Sequence, residues 1–200
     1  MWPWGHLAFG YLLYAGYRWG AARQAPRDWP VVALAIGTQF PDLVDKPLAY
    51  WFGVLPGGRS LAHSVLVFLP IAVILLVLAW NYRRTEIGVA FAIGWGSHLV
   101  GDSMHALRLG TYGQLSFLLW PALPAPDYET MSFIVHARLL VSELRRLDGT
   151  TLLAPGEDPF VLGLWLAGLV FLLWVGQGMP PLGSMRRWLA AGAGIRRALR

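Results

Sequence analysis

The heptapeptide Gly96-Ser97-His98-Leu99-Val100-Gly101-Asp102 sets an imidazole and a carboxylate inside an otherwise apolar run from Ile87 to Leu107. If that run is helical, positions i and i+4 share a face, so His98 and Asp102 point at one spot, as two ligands of a metal ion do. The same pair also fits a second chemistry, an interhelical hydrogen bond between polar groups within a membrane. Four more groups of the same kind, His6, Asp42, Asp45 and His63, lie at the ends of other apolar segments. Three imidazoles and three carboxylates form a nitrogen and oxygen set suited to Zn²⁺ first and to Mn²⁺ or Fe²⁺ next, enough for one ion or two close together. The sequence has no cysteine, which excludes disulfides, thiolate catalysis and Cys-type zinc sites. Water activated by the metal is then the available nucleophile.

Each motif also has a plainer reading. Pro41-Asp42 could form a turn with a helix cap, Ser60 or His63 could cap the following helix, and His6 could be an interfacial residue. Ser64 and Ser97 read as caps or hydrogen-bond donors behind the ligands. His105, three residues after Asp102, shares its helix face and is a candidate proton shuttle.

The elements that must position these groups are helices in a membrane. Of 200 residues, 56% are hydrophobic and 14% charged, with a mean hydropathy of +0.49, outside the usual range of soluble domains. Residues 64–80 and 160–176 hold no charge and approach the roughly 20 residues that span a bilayer. Residues 87–107 make a third such run, while 6–22 and 30–41 are shorter. The opening Met-Trp-Pro-Trp-Gly-His lacks the basic start of a signal peptide, so the first apolar segment is expected to be retained. The expected fold is all-α: a polytopic bundle of about five transmembrane helices over residues 1–179, with an outer-side insertion at about 121–158 and a basic cytoplasmic tail at 180–200.

The net charge of +5 is carried by arginine, Lys46 being the only lysine, and topology accounts for it better than nucleic acid binding. If all five segments cross, Arg18, Arg23, Arg27, Arg83, Arg84, Arg186, Arg187, Arg196, Arg197 and Arg200 fall on one side. Lys46, Arg59, Arg108, Arg138, Arg145 and Arg146 fall on the other. The positive-inside rule then puts the amino terminus outside and the carboxyl terminus in the cytoplasm, as expected of a multi-pass protein of the plasma or inner membrane. All six ligand candidates land at the outer ends of their segments. At 1.5 Å per residue, His98 and Asp102 lie about 16 and 22 Å from Ile87, below the far surface of a core about 30 Å thick. The second segment, about 18 Å from Pro30 to Asp42, ends at similar depth, which predicts a cavity open to the outside.

Residues 130–147 read as an amphipathic helix with Phe133, Ala137, Leu140, Leu144 and Leu147 on one face, expected on the outer surface above the site. The prolines at 121, 124 and 126 break the chain before it. The tail beyond Met185, with Trp188, Ile195 and Leu199 among arginines, reads as a surface anchor.

Gly5-His6, Pro41-Asp42-Leu43-Val44-Asp45, Gly58-Arg59-Ser60-Leu61-Ala62-His63-Ser64, Ser97-His98-Leu99-Val100-Gly101-Asp102 and Leu118-Leu119-Trp120-Pro121 occur in this order. Together they resemble the membrane-bound metal-dependent hydrolases, the YdjM-like group also described as LexA-binding, inner-membrane-associated hydrolases. The likeness covers about the first 120 residues. It departs from the family pattern in two places: the second carboxylate of the Pro-Asp motif stands one residue later, at Asp45, and the first histidine and the threonine of the His-Arg-Gly-x-Thr-His-Ser motif are missing around Arg59.

The resemblance implies a metal site of His6, Asp42, Asp45, His63, His98 and Asp102. Beside such a site Arg59 is expected to clamp phosphate oxygens. The expected reaction is hydrolysis of an ester or phosphoester, in a lipid-linked or other anionic substrate reached from the outer leaflet, with membrane lipids as partners and no nucleic acid. Two other classes stay open from the sequence: a metal-binding or ion-handling membrane protein without turnover, and a structural protein whose polar cluster holds its helices together.

Overall fold

The computed structural model describes residues 2–126, 133–153 and 158–185. Seven α-helices and one 3-10 helix make up the secondary structure of these residues: α1 Pro3–Ala22, α2 Asp28–Tyr50, α3 Val65–Asn81, α4 Thr85–Leu109, the 3-10 helix Tyr112–Leu119, α5 Phe133–Arg146, α6 Gly149–Leu153 and α7 Pro159–Gly176. Local chemistry marks the helix ends. Pro3 and Pro159 occupy first-turn positions, where the missing N–H costs nothing. Ser64 and Asp158 accept the backbone N–H groups of Leu66 and Phe160 as N-caps. Gly110, at φ 68°, ends α4 in the left-handed conformation that glycine adopts without strain.

α4 is the central element. α2 lies along it, α1 and α3 flank it, and α7 packs on α1. The α2–α4 approach depends on two glycines: a Cβ on Gly37 would strike the Phe91 carbonyl oxygen, and one on Gly94 would sit 2.5 Å from that of Leu34. Small residues at a crossing let helix backbones approach closely where no hydrophobic effect drives them together. Leu34, Ala90, Tyr14 and Val31 fill the space between α1, α2 and α4. A second cluster sets Trp95 against Phe40, Phe68 and Phe91, and its indole N–H donates to the Ala62 carbonyl at 2.7 Å, fastening the loop before α3 to α4.

α7 is the one described helix long and apolar enough to cross a membrane, and α3 is a shorter apolar helix. Both turn large apolar side chains outward, among them Val73, Ile74 and Val77 on α3 and Leu169, Phe171 and Leu172 on α7.

Four of the five apolar segments match helices closely. The second, predicted to stop at Pro41, runs on through Pro41 and Pro47 to Tyr50. Asp42 and Asp45 therefore ride on a helix and form neither a turn nor a cap. A helix proline forfeits one backbone hydrogen bond and loosens the preceding turn, and here packing on α4 carries the helix past both. The predicted amphipathic helix is present over Phe133–Arg146 of the described residues, and its residues Leu139, Val141 and Leu144 are exposed. The segment that packs at the ligand-bearing end is instead the 3-10 helix, which contacts α3 and α4. Residues 130–132 of the predicted helix and residues 186–200 of the predicted tail lie outside the described residues.

Candidate metal centre

Four pieces of chain bring the polar groups together: His6 from the start of α1, Asp42 and Asp45 from α2, His63 from the loop before α3, and His98 and Asp102 from one face of α4. The three histidines are fully buried or nearly so. Burying that many polar groups is costly unless each finds a partner.

The partners fix which nitrogen of each ring faces inward. His98 Nδ1 lies 2.7 Å from the Thr38 carbonyl, which can only accept, so Nδ1 carries the hydrogen and Nε2 presents a lone pair. That carbonyl belongs to the turn that Pro41 loosens. His63 Nδ1 lies 2.8 Å from Asp45 Oδ2 and donates to it, so its Nε2 also faces the centre. The two Nε2 atoms stand 3.2 Å apart. Two lone pairs cannot confront each other at that distance unless a proton or a metal cation lies between them.

Around this pair stand two carboxylate oxygens. Asp42 Oδ1 is 3.5 Å from His63 Nε2 and 3.8 Å from His98 Nε2, and Asp102 Oδ2 is 3.7 and 3.8 Å from the same atoms. Ligand atoms at the usual 2.0–2.1 Å from a tetrahedral Zn²⁺ are separated from one another by about 3.4 Å. Five of the six separations among these four atoms thus lie between 3.2 and 3.8 Å, near that spacing, and the donor set fits a divalent transition metal. His6 extends the cluster: its ring stacks on His98 at 3.9 Å and Nε2 lies 3.2 Å from Asp102 Oδ1, while Nδ1 is buried without a hydrogen-bond partner. Two trios can each present one ligand atom apiece within 4.8 Å of one another, His6, His98 and Asp102, and Asp42, His63 and His98. His98 is common to both.

Asp45, predicted among the ligands, stands behind His63. Its oxygens accept the backbone N–H groups of Ser60 at 2.8 Å, Ala62 at 2.8 Å and His63 at 3.2 Å as well as the imidazole. With these four hydrogen bonds the carboxylate orients His63 and folds the loop around itself. The imidazole–carboxylate pairing is the one that commonly fixes the tautomer of a metal-binding histidine. His63 lies outside the helices; burial pushes its pKa down, and the carboxylates of Asp42 and Asp45 outweigh that and hold it above the usual imidazole range, which favours a proton on Nε2 when no cation is bound.

Arg59 Nε donates to Asp102 Oδ2 at 2.8 Å, and its guanidinium lies 5.8 Å from the Phe117 ring. Lys46 Nζ bonds Asp42 Oδ2 at 2.6 Å. Both cations line the partly exposed rim, with buried Phe117 also 6.1 Å from His63. His105 is exposed, and nothing joins it to the cluster among the described residues. Ser64 is a cap, as predicted, and its hydroxyl also donates to the Trp120 carbonyl at 2.5 Å, tying the 118–121 stretch to α3. Sequence reasoning missed Lys46, the Thr38 carbonyl and Phe117. Lys46 follows Asp42 at i+4 and was visible once α2 was known to continue; the Thr38 carbonyl has no sequence signal.

A family model described as YdjM inner membrane protein matches residues 1–180. No curated protein and no solved structure matches the chain.

Proposed function

The chain belongs to the YdjM inner membrane protein family, and from that premise we propose that it is a metal-dependent membrane hydrolase acting on an ester or phosphoester. The observation that carries the reading is the His63–His98 pair, two inward Nε2 atoms 3.2 Å apart with both Nδ1 atoms committed elsewhere, and a carboxylate oxygen of Asp42 and one of Asp102 each within 3.5–3.8 Å of both. His63, His98, Asp42 and Asp102 would hold the ion, Zn²⁺ first and Mn²⁺ or Fe²⁺ next, with His6 available to a second ion beside Asp102. When bound, such an ion supplies Lewis acidity and acidifies water.

The chain's own residues do the rest. Asp45 and the Thr38 carbonyl keep two imidazoles in the ligand tautomer. Arg59 and Lys46, at the rim, can exchange their carboxylate partners for the oxygens of an anionic substrate, which favours a phosphoester. Phe117 and the buried face of α4 limit access of water from behind. The proposed setting is a bundle of five membrane-crossing helices, with the amino terminus outside, the carboxyl terminus cytoplasmic and the centre near the outer face. A lipid-linked substrate suits that depth.

The test is elemental analysis of the full chain purified in mild detergent, wild type beside His98→Ala, followed by hydrolysis assays over a phosphoester and ester panel. Stoichiometric metal in the wild type, lost with the activity in the variant, is expected. No stoichiometric metal in the wild type refutes the reading. One observation favours a metal-holding role without turnover: both rim cations are already paired, Arg59 with Asp102 and Lys46 with Asp42. Bound metal with no hydrolysis across the panel would select it.

A further inference from the structure

At the other end of α4 lies a groove of about 1040 Å³ between the α1–α2 and α3–α4 connections, lined by Arg27, Asp28, Trp29, Trp80, Arg83 and Arg84 among others. Thr85, the first residue of α4, is 13 positions from His98, so the groove lies about 20 Å from the metal centre. From its residues we infer a second site, which binds the phosphate headgroup of an anionic phospholipid.

Three observations converge on phosphate. Arg83 and Arg84 make no side-chain hydrogen bond or ion pair among the described residues, and Arg27 reaches only Gln24, at 3.2 Å. Both α2 and α4 begin at the groove, and their N-cap residues, Arg27 and Arg84, contribute no side-chain cap. The positive ends of two helices therefore add to the arginines. Of the acidic groups here, Glu86 is held by Arg18 at 2.9 Å, which leaves Asp28 against three guanidinium groups. The groove has a surplus of positive charge and of donors.

The flanks select a lipid over free phosphate. Trp29 and Trp80 are 71% and 73% exposed at the groove's edges, as indoles at a headgroup boundary are. Trp80 is near the end of α3, whose Val73, Ile74 and Val77 turn outward and continue the groove as an apolar track for an acyl chain. A basic pocket between helices, continuous with an apolar helix face, has the form of an anionic-headgroup site.

The test uses the full chain, delipidated in detergent, and measures binding of phosphatidylglycerol and phosphatidylcholine by native mass spectrometry, for wild type, R83Q/R84Q and R83K/R84K. The wild type should prefer phosphatidylglycerol. R83Q/R84Q should bind it about 30-fold more weakly, from the worth of two basic residues near a headgroup, with phosphatidylcholine unchanged. R83K/R84K should keep the preference, and a wild-type thermal unfolding transition in detergent shows that the variants are folded. Equal binding of the two lipids by the wild type, or an unchanged preference in R83Q/R84Q, overturns the inference. Displacement of the lipid by millimolar inorganic phosphate overturns the lipid assignment in favour of free phosphate.

Discussion

Asp45→Asn separates a residue that holds the metal from one that holds a ligand. Asp45 accepts four hydrogen bonds, Oδ1 from Ala62 N–H and Oδ2 from Ser60 N–H, His63 N–H and His63 Nδ1–H. Asparagine keeps one acceptor and replaces the other oxygen with an NH₂ group. If the amide oxygen takes the Oδ2 position, the NH₂ meets the Ala62 N–H donor to donor; if it takes the Oδ1 position, three donors lose their acceptor. The first arrangement is cheaper and leaves one buried N–H unpaired, a cost of about 1–3 kcal/mol. His63 then hydrogen-bonds to a neutral amide in place of a carboxylate. Loss of such a partner behind a metal-bound histidine typically weakens metal binding by about 10- to 100-fold. The assay is chelator competition on detergent-purified protein, wild type beside Asp45→Asn and His98→Ala. The expected result is a measurable affinity, 10- to 100-fold reduced, in Asp45→Asn and none in His98→Ala. Wild-type affinity in Asp45→Asn would show that the carboxylate does not orient His63. A loss as complete as that of His98→Ala in a folded protein would restore Asp45 to the ligand set.

The remaining predictions follow from packing and capping. Gly94→Ala places a methyl 2.5 Å from the Leu34 carbonyl oxygen, against an ordinary contact of 3.4 Å or more, so α2 and α4 must part by about 1 Å. Because Asp42 is on α2 and His98 and Asp102 on α4, metal affinity should fall together with thermal stability. An unchanged affinity would mean that the glycine contact does not set the ligand spacing. Ser64→Ala removes the α3 cap and the bond to the Trp120 carbonyl, and should cost about 1 kcal/mol in a chemical unfolding series; a cost near zero would refute the role of this hydroxyl. Asp148 accepts the Thr151 N–H, the largest influence on it, and the Thr150 hydroxyl, which lowers its pKa from 3.8 to about 2. The folded value lies below the unfolded one, so the start of α6 gains stability above about pH 4 and loses it as the pH falls through 2. Amide exchange at Thr151 and Leu152 should show that loss in the wild type and no such pH dependence in Asp148→Asn.

Much of this protein was decided by its sequence alone. Apolar run lengths located four helices to within a few residues, because a long uncharged stretch has few other stable conformations. The i, i+4 spacing of His98 and Asp102 determined that they share a face, since helical geometry alone sets it. Histidine and aspartate supplied a nitrogen and oxygen set of candidate ligands, and the absence of cysteine excluded thiolate sites. The tertiary structure decided the rest. Whether the chain turns at Pro41 or continues depends on packing against α4, which local propensity does not contain, and that continuation moved Asp42, Asp45 and Lys46 onto one helix. Asp45 looked like Asp42 in sequence; only the loop from Ser60 to His63, folded over it from 15 to 18 residues away, sets it behind His63. The spacing of the four facing atoms was likewise undecidable from sequence. Three of the residues, Asp42, His98 and Asp102, are carried by helices whose backbones meet closely at Gly37 and Gly94, and that approach exists only once the helices have packed.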